Sequence, residues 1–577
     1  MASRASMRWL LRGRSGECLF RWCRPNRHRH AEIPVVRRMR RALKALHTLA
    51  FVLLSGGASA GEDMRLVPNR PLAIAAVAPG ETVTLPLDAA PGDYLRGRLD
   101  VTAGSFDIEI VDNDGVAWRR LLDDVGLSGE FQFVAGGTPS ALRLMAGPDG
   151  GAGRLTLTAR LSLADQKPPA AGHDSPAIAA VAAALATGGT TDAFWRQARE
   201  AGTPLVERTE DGETLLTFVY RGAARNVRLV GAPSGDHEWL DRLDGSDIWF
   251  KSFRVPPETR FSYQLAPDVP ELPGTARERR VALLATAAAD PLNKAPWPAD
   301  APDRFNSKST VTLAAAPVQP GMENTAAPAG EFIRFRLASD RLGNTRDIAI
   351  YRPKGFDSAD PDAVLLVVFD GRNYQREVPT PAILDALVAD GRLPPTLAVF
   401  VDNPDLATRS RELPDSADFA DVLADHLMPE VRERTGFSPP PARTVLAGSS
   451  YGGLASLTVA LRRPDAFGNA LSLSGSYWWS PPGTSATIAN RVATTERRPV
   501  RVFLAAGLFE REHGGADGIL ETNRHLRDVL LARGYEVAAR EYAGGHDYFV
   551  WRGALADGLL ALFGRGPIPM SDVKEKP

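Results

Sequence analysis

Three observations predict a multidomain chain in which two β-sandwich-like blocks precede an α/β domain. The first is length: 577 residues exceed what one hydrophobic core organises, so about three or four domains are expected. The second is a change of period near Gly330, from short alternating runs broken by turn residues to strands alternating with helices, the pattern of a mostly parallel sheet. The third is Gly448-Ser449-Ser450-Tyr451-Gly452, set between a β-like run and a helical run.

Residues 1–60 hold 13 of the 68 basic side chains and 2 of the 69 acidic ones, so the formal net charge of −1 conceals −12 for the remainder. That balance argues against a nucleic-acid binder or a general membrane-surface binder. Arg37, Arg38, Arg40, Arg41 and Lys44 precede the largely apolar Ala45 to Leu54, and Ala58-Ser59-Ala60 supplies the small residues of a cleavage site. Residues 1–60 therefore read as a leader and signal peptide, cut before Gly61. Met39 sits where a normal-length signal would start, which leaves residues 1–38 as an upstream misread start or an Arg-rich extension. Arg40-Arg41 is only a weak twin-arginine signal. No stretch approaches the roughly 20 apolar residues that cross a bilayer, so a soluble, exported protein without a membrane span is expected, most simply in the periplasm. Cys18 and Cys23 both leave with the leader, and with them disulfides, thiolate nucleophiles and Cys-based metal sites.

Residues 61–165 read as a small all-β domain, from runs such as Glu81 to Leu87, Tyr94 to Val101, Phe106 to Val111, Phe131 to Phe133 and Gly153 to Leu163. It resembles the accessory domains of prepeptidase C-terminal type, and a binding role and a structural one both stay open. Asp107, Asp112, Asn113 and Asp114 lack an EF-hand arrangement and fit a solvated turn better than a calcium site. After a linker at Gln166 to Ser175, Ile178 to Thr187 and Phe194 to Ala201 look helical. Thr214 to Pro270 then alternates as half-buried strands do, and the Pro- and Ala-rich stretch up to Gly330 reads as a connector.

Beyond it, Ile333 to Leu337, Arg346 to Tyr351, Ala363 to Asp370 and Thr396 to Val401 are predicted strands, with helices at Pro381 to Leu387 and Ala417 to Arg434. Arg443 to Ala447, Ala470 to Ser474, Val500 to Ala506 and Glu536 to Tyr542 continue the strands, with helices at Leu454 to Leu461 and Leu520 to Gly534. A Gly-x-Ser-x-Gly turn between the fifth of these strands and a helix is a nucleophile elbow, and the order is that of an α/β-hydrolase, in which acid and histidine follow the serine. Ser450 is thus the candidate nucleophile.

A serine at its free pKa needs a base within hydrogen-bond reach. His28, His30 and His47 lie in the leader, His173 in the linker, His237 in the second β block, and His426 and His525 inside helices. His513 follows the penultimate strand, where an acid belongs, so His546, on the Gly-flanked loop after the last strand, is the candidate base. The candidate acid is Glu510, nearer the end of its strand than Glu512; a Ser-His pair without an acid is the remaining alternative. The oxyanion donors expected are the backbone N–H of Tyr451 and that of Gly371 or Arg372.

From Asp192 to Gly564 the chain resembles the enterochelin esterase family. The matches include Phe194-Trp195, Gly202 to Glu207, Arg225 to His237, Asp290-Pro291-Leu292-Asn293, Asp370-Gly371-Arg372, the elbow, Gly544 to Tyr548 and Trp551-Arg552-Gly553. The resemblance implies an esterase amino-terminal β-sandwich domain at 174–300 and an α/β-hydrolase catalytic domain at 325–568. It also implies hydrolysis of the trilactone of a ferric catecholate siderophore, with no cofactor and no metal site of the protein's own. The exported leader and the 61–165 domain depart from the family's familiar cytoplasmic members. A multiply anionic, aromatic substrate calls for cations and flat walls, which nominates Arg372, Arg409 and Arg411 on loops after strands, and Tyr477, Trp478 and Trp479 after another. A feruloyl or acetyl esterase of polysaccharide, and a non-catalytic siderophore binder, are the rival readings.

Overall fold

The structure, a computed structural model, describes residues 66–136, 141–166, 174–209, 211–235, 237–323, 329–511 and 518–565. The leader, Glu512 and His513 lie outside the described residues.

The first β layer has six strands, and two of them are longer than the sequence pattern predicts. Tyr94–Val111 runs unbroken through the expected gap after Val101, and Ala141–Leu161 pairs with it along its whole length. Register shifts at Val101/Ala103 and Gly104/Phe106 bend this ribbon without ending it, so each long strand serves two parts of the layer. Thr82–Pro86 adds to the start of Ala141–Leu161 and Leu72–Val77 to its middle, from Gly151 to Leu155, and the layer closes over Leu85, Leu99, Phe106, Ile108, Phe131 and Leu144. Asp112 is the solvated turn expected: its Oδ1 accepts from the N–H groups of Asp114 and Val116 at 3.0 and 2.9 Å.

This layer is docked on the second block, against the stretch that precedes its strand Lys308–Thr312. The buried Arg119 guanidinium donates to the carbonyls of Leu284 and Ala285 at 2.9 and 2.5 Å and lies 4.1 Å above the Phe305 ring. Burial pushes its pKa down to about 10.

The second block consists of two four-stranded sheets that enclose Leu216, Phe218, Trp249, Phe261, Tyr263 and Leu265. One of its strands, Lys308–Thr312, falls in the stretch read as a connector and pairs with Arg260 to Tyr263. The sheet therefore extends beyond residue 300.

The largest sheet has eight strands, numbered here in chain order: β1 (Glu331–Ser339), β2 (Asn344–Arg352), β3 (Val364–Phe369), β4 (Thr396–Val401), β5 (Thr444–Ser449), β6 (Asn469–Leu473), β7 (Arg501–Gly507) and β8 (Val537–Tyr542). Their spatial order is β1-β2-β4-β3-β5-β6-β7-β8; β2 is antiparallel to both neighbours and every pair from β4 to β8 is parallel. Residues of β3 to β6 are buried throughout, because helices cover both faces; that is why these strands read as continuous apolar runs. A parallel sheet sends the carboxyl ends of its strands to one edge, and there Asp370, Ser450, Ser474 and Leu508 follow β3, β5, β6 and β7. Three helices absent from the sequence reading stand at this edge: Gly371–Arg376, Leu406–Glu412 and Tyr548–Phe563.

Glu412 ties its helix to β2. Its carboxylate pairs with the Arg346 guanidinium and accepts from Asn344 Nδ2 at 2.6 Å, both charged side chains being almost wholly buried. Glu412→Ala leaves that guanidinium without its counter-charge and is expected to cost about 3–5 kcal/mol in urea unfolding, most of it recovered by replacing both partners with apolar residues. Among the described residues no helix is long and apolar enough to cross a membrane.

Candidate active site

Ser450 stands between the end of β5 and the helix Tyr451–Arg462 with φ 58° and ψ −121°, a conformation costly for any residue with a Cβ. Backbone bonds hold it there: Ser450 N–H donates to the Leu473 carbonyl at 3.0 Å, and the Ser450 carbonyl accepts from Ser476 N–H at 3.2 Å and from Leu454 N–H at 3.0 Å. Close approach of strand and helix requires glycine at 448, where a Cβ would lie 2.7–2.9 Å from the Gly452 backbone. The Ser450 hydroxyl lies 3.3 Å from that of Ser476, and among the described residues no hydrogen bond joins it to His546. Such a bond is commonly long in a resting site and shortens when substrate is bound.

Glu510 and His546 come together as the strand order predicts. Nδ1 of His546 is 2.5 Å from Oε1 of Glu510. The other carboxylate oxygen accepts from Ser474 Oγ at 2.7 Å and from Gly507 N–H at 2.6 Å. Trp551 Nε1 donates in turn to Ser474 Oγ at 3.0 Å, and its indole meets the imidazole edge-on at 4.8 Å between centroids. The Glu510 side chain is 3% exposed and that of His546 39%, so the acid is walled in while the ring reaches solvent. With Nδ1–H given to a carboxylate, the Nε2 lone pair is left to accept a proton, the arrangement that general-base chemistry on a hydroxyl requires. Gly507 makes it sterically feasible, since a Cβ there would lie 2.3 Å from the Gly544 carbonyl oxygen.

The second β block buttresses the histidine loop, a contact that no sequence signal announces. Arg260 N–H donates to the Ala543 carbonyl at 2.9 Å, Ser262 N–H donates to Asp547 Oδ2 at 3.2 Å, and Ala232 packs where a Cβ on Gly545 would stand. The other Asp547 oxygen caps the helix Tyr548–Phe563 through Phe549 N–H at 2.8 Å. Burial raises the Asp547 pKa.

The other nominated residues divide. Tyr451 carries the first backbone N–H of a twelve-residue helix, which by position has no acceptor within it. Gly371 follows Asp370, whose carboxylate Oδ2 lies 3.5 Å from where a Gly452 Cβ would be, so the turn at Asp370 between β3 and the next helix borders the elbow. Arg372 N–H is directed at Asp402 Oδ1, 3.4 Å away, which leaves Gly371 as the better second donor.

The cationic rim is corrected. Arg372 belongs to the helix Gly371–Arg376, and Arg409 and Arg411 to Leu406–Glu412, not to loops. All three are paired: Arg372 with Asp402 at 3.0 Å and Asp347 at 3.3 Å, Arg409 with Asp370 at 2.7 Å, and Arg411 with Glu412 at 3.3 Å. Tyr477 is also corrected, because it is buried in the core with its hydroxyl 2.7 Å from Ser472 Oγ, and burial raises its pKa. Trp479 is half-buried against the same core, whereas Trp478 is 47% exposed, with its ring 6.1 Å from that of Tyr451. His426 and His525 face solvent on their helices.

Family models cover the second block and the large sheet in succession. Residues 215–322 match "Enterochelin esterase, N-terminal" and residues 339–562 match "Putative esterase". The iron(III) enterobactin esterase of Dickeya dadantii is 34% identical over 64% of this chain and 92% of its own length. The iron(III) salmochelin esterase of Escherichia coli is 31% identical over 67% of this chain and 98% of its own. Crystal structures of enterobactin esterase from Shigella flexneri, with enterobactin present, and of ferric enterobactin esterase from Salmonella typhimurium superpose with TM-scores of 0.53 and 0.54 at 30% identity, over 64% of this chain and 97–98% of theirs. With likeness in sequence and fold spanning nearly the whole of these relatives, the chain belongs to the enterochelin (enterobactin) esterase family.

Proposed function

We propose that this chain is an exported serine esterase that hydrolyses the lactone esters of ferric enterobactin or a related catecholate siderophore. Its α/β-hydrolase catalytic domain is residues 325–568, preceded by an esterase β-sandwich that runs from 174 through the strand Lys308–Thr312, past the expected bound at 300, and by an accessory β domain at 61–165. The observation that carries the chemistry is the buried Glu510 carboxylate on Nδ1 of His546, beside a serine held at an elbow. Ser450 Oγ attacks the ester carbonyl as His546 Nε2 takes its proton, and the N–H groups of Tyr451 and Gly371 hold the oxyanion. Collapse breaks the ester C–O bond, and His546 returns the proton to the departing alkoxide, which leaves as the free serine hydroxyl of the siderophore. Water, deprotonated by His546, then attacks the acyl-enzyme and frees the carboxylate and Ser450. The names of the relatives support the substrate, the leader in the sequence supports export, and iron arrives with the substrate.

A neutral aromatic ester, such as a feruloyl group on polysaccharide, is the second reading, and one observation favours it: each nominated arginine already has an acid partner. Mass spectrometry of products after incubation with ferric enterobactin, iron-free enterobactin and a feruloyl ester decides between them. The siderophore reading expects addition of one water per lactone cut. An intact trilactone beside a cleaved feruloyl ester would overturn it.

Ser474 supports the acid in this mechanism. Ser474→Ala is expected to lower kcat about tenfold through loss of one charge-assisted hydrogen bond to Glu510, with the urea midpoint little changed. Steady-state kinetics beside an unfolding curve checks both.

A further inference from the structure

The sequence offers Arg409 as a cation for substrate, but its surroundings give it another task. Its Nε and Nη2 both donate to the Asp370 carboxylate at 2.7 Å, and the side chains are 21% and 5% exposed. Asn403 Nδ2 donates to the same carboxylate at 2.7 Å. Asp370 needs this hold, because it sits in the left-handed region at φ 56° and ψ 49°, which an unsupported aspartate readily leaves. Its backbone angles aim the peptide N–H of Gly371, and its carboxylate Oδ2 lies 3.5 Å from where a Gly452 Cβ would stand, beside the elbow. On its other side, the Arg409 guanidinium lies 5.8 Å from the centre of the Tyr451 ring. The helix that carries Arg409 is itself anchored to β2 through Glu412 and Arg346.

We propose that Arg409 is a positioning residue: one guanidinium, gripping Asp370 and set over the Tyr451 ring, holds the two backbone amides at Gly371 and Tyr451 in the mutual geometry that an oxyanion needs. This rests on the reading of the site as an ester hydrolase. Turning Arg409 toward an anionic ligand would leave the buried Asp370 carboxylate with Asn403 alone, a cost that a surface arginine would not carry. Only the fork of arginine meets a carboxylate through two parallel bonds while presenting a flat face to an aromatic ring. A displaced donor weakens transition-state binding more than substrate binding, so the signature falls on kcat.

The test measures kcat and KM of the full chain, Arg409→Ala, Arg409→Lys and Asp370→Asn on ferric enterobactin and on neutral p-nitrophenyl acetate. Arg409→Ala is expected to lower kcat about 100-fold on both esters with KM within about twofold, and the other two variants about tenfold. Millimolar guanidinium is expected to restore part of the Arg409→Ala rate and none of the Arg409→Lys rate. A raised KM confined to the anionic ester, with kcat kept, would overturn the proposal and make Arg409 a substrate contact. A soluble, folded Arg409→Ala with kcat within about threefold of the unmodified chain would overturn it as well. Should Arg409→Ala fail to fold, Asp370→Asn, which keeps size and one acceptor oxygen, takes its place: a fall in kcat on both esters supports the proposal, and an unchanged kcat overturns it. An unmodified chain that cleaves neither ester refutes the esterase reading itself, and this proposal with it.

Discussion

Ser450→Ala is expected to lower hydrolysis of ferric enterobactin by at least about 10⁴-fold, while the ferric complex binds nearly as before. Without Oγ no acyl-enzyme forms, and what remains is the modest effect of the oxyanion donors on direct attack by water. Alanine keeps the Cβ, so the strained backbone at 450 is neither relieved nor worsened, and the two bonds to Leu473 and Ser476 persist. Thermal unfolding is therefore expected to shift by little, which separates loss of chemistry from loss of fold. Quenching of tryptophan fluorescence reads binding, with Trp478 exposed beside Tyr451 as a reporter. Residual turnover close to that of the unmodified chain would refute the covalent mechanism; weakened binding with turnover intact would do the same.

Glu510→Gln should have the next largest effect, a fall in kcat of roughly 10³- to 10⁴-fold. Glutamine retains the shape and can still accept from Ser474 and Gly507, but it carries no charge to stabilise an imidazolium. Its amide can also donate to Nδ1, which would place the ring proton on Nε2, where it blocks the base. Glu512→Gln serves as the comparison and is expected to stay within about twofold of the unmodified rate. If Glu510→Gln retained a third or more of kcat, the site would work as a Ser-His pair and the buried carboxylate would be structural. Both variants should be assayed with a neutral ester as well, because a mechanistic loss must appear whatever the charge of the substrate.

The mechanism also explains why the second β block accompanies the large sheet. Base chemistry depends on the angle of the imidazole, and the loop that carries it is pinned by Ala232, Arg260 and Ser262. Glu510 fixes the ring, and the second block fixes the loop that carries it. Residues that never touch substrate in this scheme thereby set the position of one that does.

Strand, turn and helix around Ser450 were legible in the sequence because they are local: periodicity marks the elements, and glycine marks where backbones crowd. The order of the parallel strands then located His546 and Glu510, because connectivity alone brings the ends of β5, β7 and β8 to one edge. The long bent ribbon of the first layer was read as separate strands, since bulges and a left-handed Gly104 look like chain breaks when the pairing partner is unseen. Partners far apart in the chain escaped for the same reason. Arg409 looked like a free cation until folding set it against Asp370, 39 residues away, and Tyr477 looked like a platform until its hydroxyl was found at Ser472 inside the core. Ser474, Ser476 and the buttress from the second block left no signal, because their meaning lies in what they touch. Local pattern and chain order thus sufficed for the elbow and the succession of the reactive groups, and the matched motifs for the resemblance to the family. Which charges neutralise each other emerged only on folding, because ion pairing and burial depend on distances that a one-dimensional pattern does not contain.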